Sequence, residues 1–476
     1  MSAMLKQVTM NNKTKMNVTG KTILASALTV ACSAASAASF QLIEQSASGQ
    51  GTSYAGAAAV AEDASTIYFN PAGMTRLSGQ QIVVAGHVVS PQADFTNAGS
   101  TDAFGQPLQG ANSSTGDPAL IPNFYYSLQM TDDTFFGVGI NVPFGLATEY
   151  DDGWVGRYHA LNSEISSINI NPSFAWKATE TLSVGFGISL QYVDLSLTNN
   201  IDSYAACVNL ASQSGGAFTG PDCALAGMVE FGDAATDSHV KLEGDSVEIG
   251  WNAGIMLDLK DNSRMGIAYR SAIKHNVEGD STYALYQGLQ PFADNFTAAS
   301  GFNVLQSGAL EATAELPDSF SVSFAGEIND KWTALVDWTW TGWGKLDVIT
   351  IRQAGGVPGQ EPTLELNYRN TNRYSLGALY HHTDKLVYRG GIAYDETPIR
   401  APESTSARIP GNNRTWLSFG AGYDISDKWT VDVGYSHLFI SDTEINNGGA
   451  SSSNATLIGS YESSVDIFSA QAVLNF

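Results

Sequence analysis

In residues 181–192, TLSVGFGISLQY, apolar side chains alternate with polar or very small ones without a break. Leu182, Val184, Phe186, Ile188, Leu190 and Tyr192 share one face, and Ser183, Gly185, Gly187, Ser189 and Gln191 share the other. A period of two over this length is a β-strand with one oily and one polar side, because successive side chains point to opposite faces. The pattern returns in KWTVDVGYSHLF, where Trp429, Val431, Val433, Tyr435 and Phe439 oppose Thr430, Asp432, Gly434 and Ser436. It returns again at the C-terminus, with Phe468, Ala470, Ala472, Leu474 and Phe476 set against Ser469, Gln471 and Asn475. A water-soluble sandwich also alternates. Here, however, the strands are long enough to cross a bilayer on a tilt, aromatic residues gather at strand ends, and the chain stops on Phe476 inside a strand.

The connections sharpen this reading. Short polar turns recur at 131–133, 178–180, 260–263, 329–331, 383–385 and 426–428. Between them lie long Gly/Ser/Asn-rich loops near 96–118, 143–163, 198–240, 280–310, 353–363, 396–413 and 441–462. Short turns on one side and long loops on the other are the habit of outer-membrane barrels. Counting each interval as a strand predicts an all-β, transmembrane antiparallel β-barrel of about fourteen strands over 80–476.

Residues 1–37 read as a signal peptide. Lys6, Lys13, Lys15 and Lys21 precede the apolar ILASALTVACSAASA, and cleavage fits after Ala37 or Ala38. Thr29 is a poor residue three places before Cys32, which argues against acylation there. No other run of eighteen apolar residues exists, so helical membrane spans are excluded. The leader holds four lysines and no acid, so its removal takes the formal charge from −24 to −28. So acidic a chain lacks the cationic patches that nucleic acid or anionic lipid would need. Cys207 and Cys223 remain in a polar, Gly-rich loop of an exported chain, which predicts one disulfide. No further ligands of metal-site spacing accompany them, and neither a metal nor a cofactor is expected.

Residues 38–79 break the pattern. GTSYAGAAAVAEDASTIYFNPAGM is too apolar for a disordered tail, and a barrel of this size has a lumen to be filled. The segment is predicted to be a compact hatch, a plug inside the barrel.

The mature start ASFQL, then SGQGTSYAG, EDA, NPA, TEYDDGW, WNAGI, LPDSFSVS and GIAYDETPIRAPESTSARIPGNNRTWLSFGAGY occur in order along the chain. Together they resemble the FadL family of outer-membrane channels for long-chain fatty acids and other hydrophobic compounds. The resemblance implies a monomeric fourteen-stranded barrel in outer-membrane lipid and lipopolysaccharide, inserted by the barrel assembly machinery and plugged by an N-terminal hatch. It implies uptake of long-chain fatty acids by passive diffusion: capture by extracellular loops, transfer to a lumen pocket, then lateral release through a kinked third strand. Asn70, Pro71 and Ala72 are expected against that kink, and Phe40 and Leu42 are expected to reach toward the pocket. Independently, the third strand carries Gly137 and Gly139 and stops at Pro143, residue types that weaken a strand or mark a bulge. Aromatic or alkane hydrocarbons are the alternative substrates.

No G-x-S-x-G elbow and no grouped nucleophile, base and acid are present, so the chain does not read as an enzyme. A carboxylate substrate would call for a cation or several donors. The candidates are Arg157, Lys345 and Arg352, with Arg369 and Arg373 behind them.

Overall fold

The computed structural model describes residues 39–260, 262–359, 361–448 and 455–476, and the signal-peptide reading of 1–37, with Cys32, lies outside them. Fourteen antiparallel strands form the wall. They are β1 (Gln80–Asn97), β2 (Ala119–Gln129), β3 (Thr134–Asn141, resuming at Gly145–Glu149), β4 (Asn162–Lys177) and β5 (Leu182–Ile201). Next come β6 (Ser238–Asp258), β7 (Ser263–Arg270 and Ile273–Ala284), β8 (Gly308–Leu316 and Ser319–Asn329) and β9 (Trp332–Thr341 and Val348–Gln353). The wall ends with β10 (Thr371–Thr383), β11 (Leu386–Asp395), β12 (Arg414–Ser426), β13 (Trp429–Ile440) and β14 (Leu457–Asn475). Each strand pairs with its neighbour in sequence. β14 closes on β1 in continuous register from Gln81 opposite Asn475 to Asn97 opposite Gly459. Closure leaves no strand without a neighbour on both sides, the requirement for strands that cross hydrocarbon.

The alternation read from sequence is carried through the wall. Val84, Phe136, Phe174, Phe186, Trp251, Leu376, Phe419 and Phe468 are exposed on the outer face, an apolar band that suits lipid. Gln191, Asn252, Ser323, Asp337, Ser418, Ser436 and Gln471 are buried in the interior. No helix among the described residues is long and apolar enough to span a membrane.

Residues 39–79 fill the interior. They form short helical turns, Ala47–Gln50, Ala57–Val60 and Thr66–Phe69, and a 3-10 turn at Pro71–Arg76. A segment with so little regular structure has many backbone groups to satisfy. Wall side chains supply partners: Ala58 N–H donates to Ser323 Oγ at 3.0 Å, Ala47 N–H to Gln471 Oε1 at 3.1 Å, and Ala64 N–H to Gln81 Oε1 at 2.6 Å. Arg264 Nη1 donates to the Val60 carbonyl at 2.7 Å.

Candidate functional site: a filled lumen, an apolar cavity and a gap in the wall

Small residues in the lumen segment meet glycines in the wall. A Cβ on Gly266 would collide with the Ala58 carbonyl, one on Gly391 with Thr52, and one on Gly420 with Gly51. These glycines lie on β7, β11 and β12, so backbone meets backbone around much of the barrel. Ionic contacts add to this. Arg389 of β11 pairs with Glu62 at 2.9 Å and with Asp432 of β13 at 2.7 Å. Asp63 accepts from Ser48 Oγ at 2.8 Å and from Gln471 Nε2 at 2.9 Å.

Asn70, Pro71 and Ala72 do not lie on the third strand, which corrects the expectation from the family resemblance. They sit on β5 and β6. A Cβ at Gly185 would strike Pro71 and Ala72, and one at Gly254 would strike Asn70 Oδ1. Asn70 Nδ2 donates to the carbonyls of Ala58 at 2.7 Å and Ile255 at 3.0 Å, while its Oδ1 accepts from Ala72 N–H at 3.1 Å. Pro71 opens the 3-10 turn, where its missing N–H costs nothing.

The third strand does break, but not at its glycines. From Thr134 to Asn141 it pairs regularly with β4, and Gly137 merely makes room for Ile67 and Met74. Gly139 lies against the Tyr125 ring. The break is at Val142–Phe144, around Pro143. Beyond it β3 regains β4 one register out, with Gly145 opposite Ser166 where Asn141 stood opposite Asn169. Ser167 Oγ replaces the lost ladder bonds of Phe144, accepting from its N–H at 2.9 Å and donating to its carbonyl at 2.7 Å. On the other side β3 leaves β2 altogether. The last rung is Phe124 opposite Ile140, and Ala119–Asn123 have no β3 partner. The start of the lumen segment takes that place from inside: Leu42 N–H donates to the Pro143 carbonyl and Gly145 N–H to the Phe40 carbonyl, both at 2.9 Å. The kink is therefore met by Phe40–Leu42, not by Asn70–Ala72.

Beyond this point lies an apolar cavity lined by Phe40, Leu146, Val193, Val277, Leu316, Ile409 and their neighbours. Phe40 reaches it. Leu42 instead packs with Val89, Ile121 and Val142, behind the gap. The cations proposed from sequence are elsewhere. Arg157 is buried among the loops, pairing with Asp237 at 2.7 Å and donating to the carbonyls of Gln109 and Gly232 at 2.7 Å each, so it holds loops together and has nothing to offer a ligand. Lys345 faces Glu315 at 3.3 Å and Asp318 at 3.7 Å. Arg352 is exposed, opposite Glu311 across the β8–β9 ladder, and Arg369 is exposed as well. Arg373 is buried, donating to the Ser53 carbonyl at 3.0 Å and lying over the Trp416 ring.

Two arginines missed in the sequence reading stand where the candidates were sought. Arg408 lines the cavity and donates only to neutral oxygens, including Ser163 Oγ at 3.0 Å and Asn199 Oδ1 at 2.9 Å. Arg414, at the start of β12, is 1% exposed, and its Nε and Nη1 have no hydrogen-bond partner. The Tyr368 hydroxyl is also unpartnered, and the ring belongs to the same apolar cluster as Phe40 and Trp343. The signal that places Arg414 inward is its parity with Trp416 and Ser418, both buried on the same strand.

The long loops fold into structure of their own. Cys207 and Cys223 are disulfide-bonded between helices Ser203–Gln213 and Gly220–Leu225, and pack with Leu210, Met228, Leu289 and Ala293. Phe104, Leu225 and Val229 are exposed among these loops. His159, inside the loop after β3, donates from Nε2 to the Ala455 carbonyl at 3.1 Å, and burial lowers its pKa to about 4.

Residues 28–476 match the family model described as outer membrane protein transport protein (OMPP1/FadL/TodX). The chain is 32% identical over 430 residues to outer membrane protein P1 of Haemophilus influenzae, covering 88% of this chain and 89% of that one. It is 29% identical over 422 residues to a long-chain fatty acid transport protein of Escherichia coli, covering 88% and 90%. Among solved structures, a Pseudomonas aeruginosa FadL homologue superposes with a TM-score of 0.83 at 22% identity, over 92% of this chain and all of that one. The Pseudomonas putida toluene transporter TodX superposes at 0.64 with 19% identity, over 92% and 99%. With its closed fourteen-stranded barrel and lipid-facing apolar band, this chain belongs to the OMPP1/FadL/TodX family of outer-membrane proteins that transport hydrophobic compounds.

Proposed function

We propose that this member admits long-chain fatty acids. The carrying observation is Arg414: a fully buried guanidinium with two nitrogens that make no hydrogen bond, near Tyr368 of the apolar cluster that holds Phe40 and Trp343. Asp395, opposite on β11, and Glu44 balance its charge, but two of its donors stay unmet; burying such donors is expensive, and a hydrocarbon substrate would leave that cost in place. A carboxylate removes it through charge-assisted hydrogen bonds. The acyl chain then lies in the cavity, where each buried methylene contributes about 0.8 kcal/mol.

The route follows from the same features. Exposed apolar residues of the loops, among them Phe104 and Leu225, receive the substrate, and the cavity behind Phe40 holds it. Residues 39–79 act as the plug that bars a straight path to the periplasm. The way out is the gap between β2 and β3, which opens toward lipid and so keeps the chain out of water.

The test is uptake of labelled oleate and of toluene by a deletion strain carrying wild type or Arg414→Leu at matched surface levels. Wild type restores oleate uptake and Arg414→Leu does not. Toluene restored in preference to oleate, or oleate uptake indifferent to Arg414→Leu, refutes the acid reading.

A further inference from the structure

The gap in the wall is edged by two asparagines that no ladder bond joins. Continuing the β2–β3 register past Phe124 and Ile140 would set Asn123 opposite Asn141, and that rung is not formed. Both side chains are turned inward and almost completely buried, at 2% and 1% exposure. Each is half satisfied. Asn123 Nδ2 donates to the Glu44 carbonyl at 2.9 Å, and its Oδ1 has no partner. Asn141 Oδ1 accepts from Asn169 Nδ2 at 3.1 Å, and its own Nδ2, turned toward the Tyr125 hydroxyl, completes no hydrogen bond. Asn169 Oδ1 is unpartnered as well, so the row holds one spare donor, Asn141 Nδ2, and two spare acceptors, Asn123 Oδ1 and Asn169 Oδ1. Across the gap itself the spare pair is the Asn141 donor and the Asn123 acceptor.

A buried, unpaired amide group is costly, so a row of them points to something that completes it. The complement must give one hydrogen bond and take one. A hydrocarbon does neither. A carboxylate only accepts, and its charge would face the carbonyl dipole of Asn123. A protonated carboxyl does both, its O–H donating to Asn123 Oδ1 and its C=O accepting from Asn141 Nδ2. We propose that Asn123 and Asn141 form a head-group site at the wall opening that takes a fatty acid as the neutral carboxylic acid. This rests on the fatty-acid reading above and adds a second station to it. The substrate is held as a carboxylate at Arg414, takes a proton from solvent water, which is left as hydroxide, and leaves as the neutral acid.

The position of the pair gives the selection a purpose. Leu120, Phe124 and Ile140 surround it on the outer face, exposed to lipid. A charged head entering hydrocarbon there would cost several kcal/mol, whereas the neutral acid would not. Pro122 lies in the same unpaired stretch of β2, where it withholds no N–H that a neighbouring strand would need.

The test uses oleic acid carrying carbon-13 at the carboxyl, bound to the purified protein in lipid nanodiscs. Isotope-edited infrared spectra separate the C=O stretch of the protonated acid from the carboxylate bands, with empty discs as the blank. Wild type gives a protonated-acid band above the blank that saturates near one per protein, and Asn123→Leu/Asn141→Leu abolishes it. The carboxylate band survives in the double variant and falls at least tenfold in Arg414→Leu. Oleate uptake falls at least tenfold in the double variant, while uptake of 1-octadecene, which has no head group, changes less than twofold. A wild-type spectrum with carboxylate bands alone overturns the proposal and leaves the fatty-acid reading standing; the pair then holds water only. A protonated band that survives the double variant overturns it equally. No binding of oleic acid to wild type overturns both.

Discussion

Gly254 tests whether the lumen segment is held by close approach to the wall. Its missing Cβ is the space occupied by Asn70 Oδ1, and Asn70 cannot swing away without breaking three hydrogen bonds of 2.7–3.1 Å. Gly254→Ala therefore overpacks the site, at about 1–3 kcal/mol. Asn70→Ala removes the three bonds outright, at about 1 kcal/mol each, roughly 3 kcal/mol in all. At 1.4 kcal/mol per factor of ten, that raises the population with this part of the plug displaced on the order of a hundredfold. The barrel is held by its closed ladder, so both variants remain folded and heat-modifiable. The readout is leakage of a small hydrophilic dye from liposomes containing the purified protein, together with protease cleavage in 57–76. Each single variant increases both. The double variant Gly254→Ala/Asn70→Ala is no worse than Asn70→Ala, because the new methyl then enters the space vacated by the amide. Full additivity in the double variant, or a silent Gly254→Ala, would refute the reasoning.

Arg389→Ala strands Asp432 in the interior and frees Glu62, at about 3–5 kcal/mol for breaking a buried pair; dye leakage rises, and the further change Asp432→Asn recovers part of the loss. Cys207→Ser/Cys223→Ser removes a cross-link worth about 3 kcal/mol for a loop of this length, so hydrogen exchange in 203–230 accelerates while the barrel stays heat-modifiable. His159 has its folded pKa lowered to about 4 against an ordinary 6.5. Its neutral form therefore stabilises the loop cluster fully above pH 6.5, and that contribution is lost as pH falls toward 4, on the order of 3 kcal/mol. Protection factors in 150–161, referred to the intrinsic exchange rate at each pH, fall between pH 7 and pH 4.5, and His159→Gln flattens that difference.

What the sequence made legible was whatever a period of two controls. One face of each strand meets lipid and must be apolar, so the outward residues of β5, β13 and β14 announce themselves. The inner face obeys no such rule, since its partner is the lumen segment. Gly185 and Gly254 look like any strand glycine until Ala72 and Asn70 are seen against them. The same blindness misplaced the cations. Arg157, in WVGRYHA, was singled out by residue type, but Asp237, its partner, lies eighty residues away in another loop. Arg414 and Asn123 were within reach by parity: each is two residues from a buried aromatic on its own strand, Trp416 and Tyr125.

The break in β3 explains how residues 40–45 of the lumen segment are held. A strand that leaves its neighbour exposes backbone groups that hydrocarbon cannot satisfy. In this barrel the exposed groups of β3 are taken over one by one: Ser167 Oγ for Phe144, the Phe40 and Leu42 backbones for Gly145 and Pro143, and Gln45 Nε2 for the Val142 carbonyl at 3.1 Å. Residues 40–42 thus serve as a surrogate strand at the level of the kink. That also fixes what can move. Phe40–Leu42 make only two backbone bonds to β3, whereas Asn70, Asp63 and Glu62 anchor the remainder to β6, β11 and β14. On the proposed route, a substrate leaving the cavity past Phe40 would displace only that surrogate strand, at the cost of two hydrogen bonds, while the rest of the lumen segment stays seated.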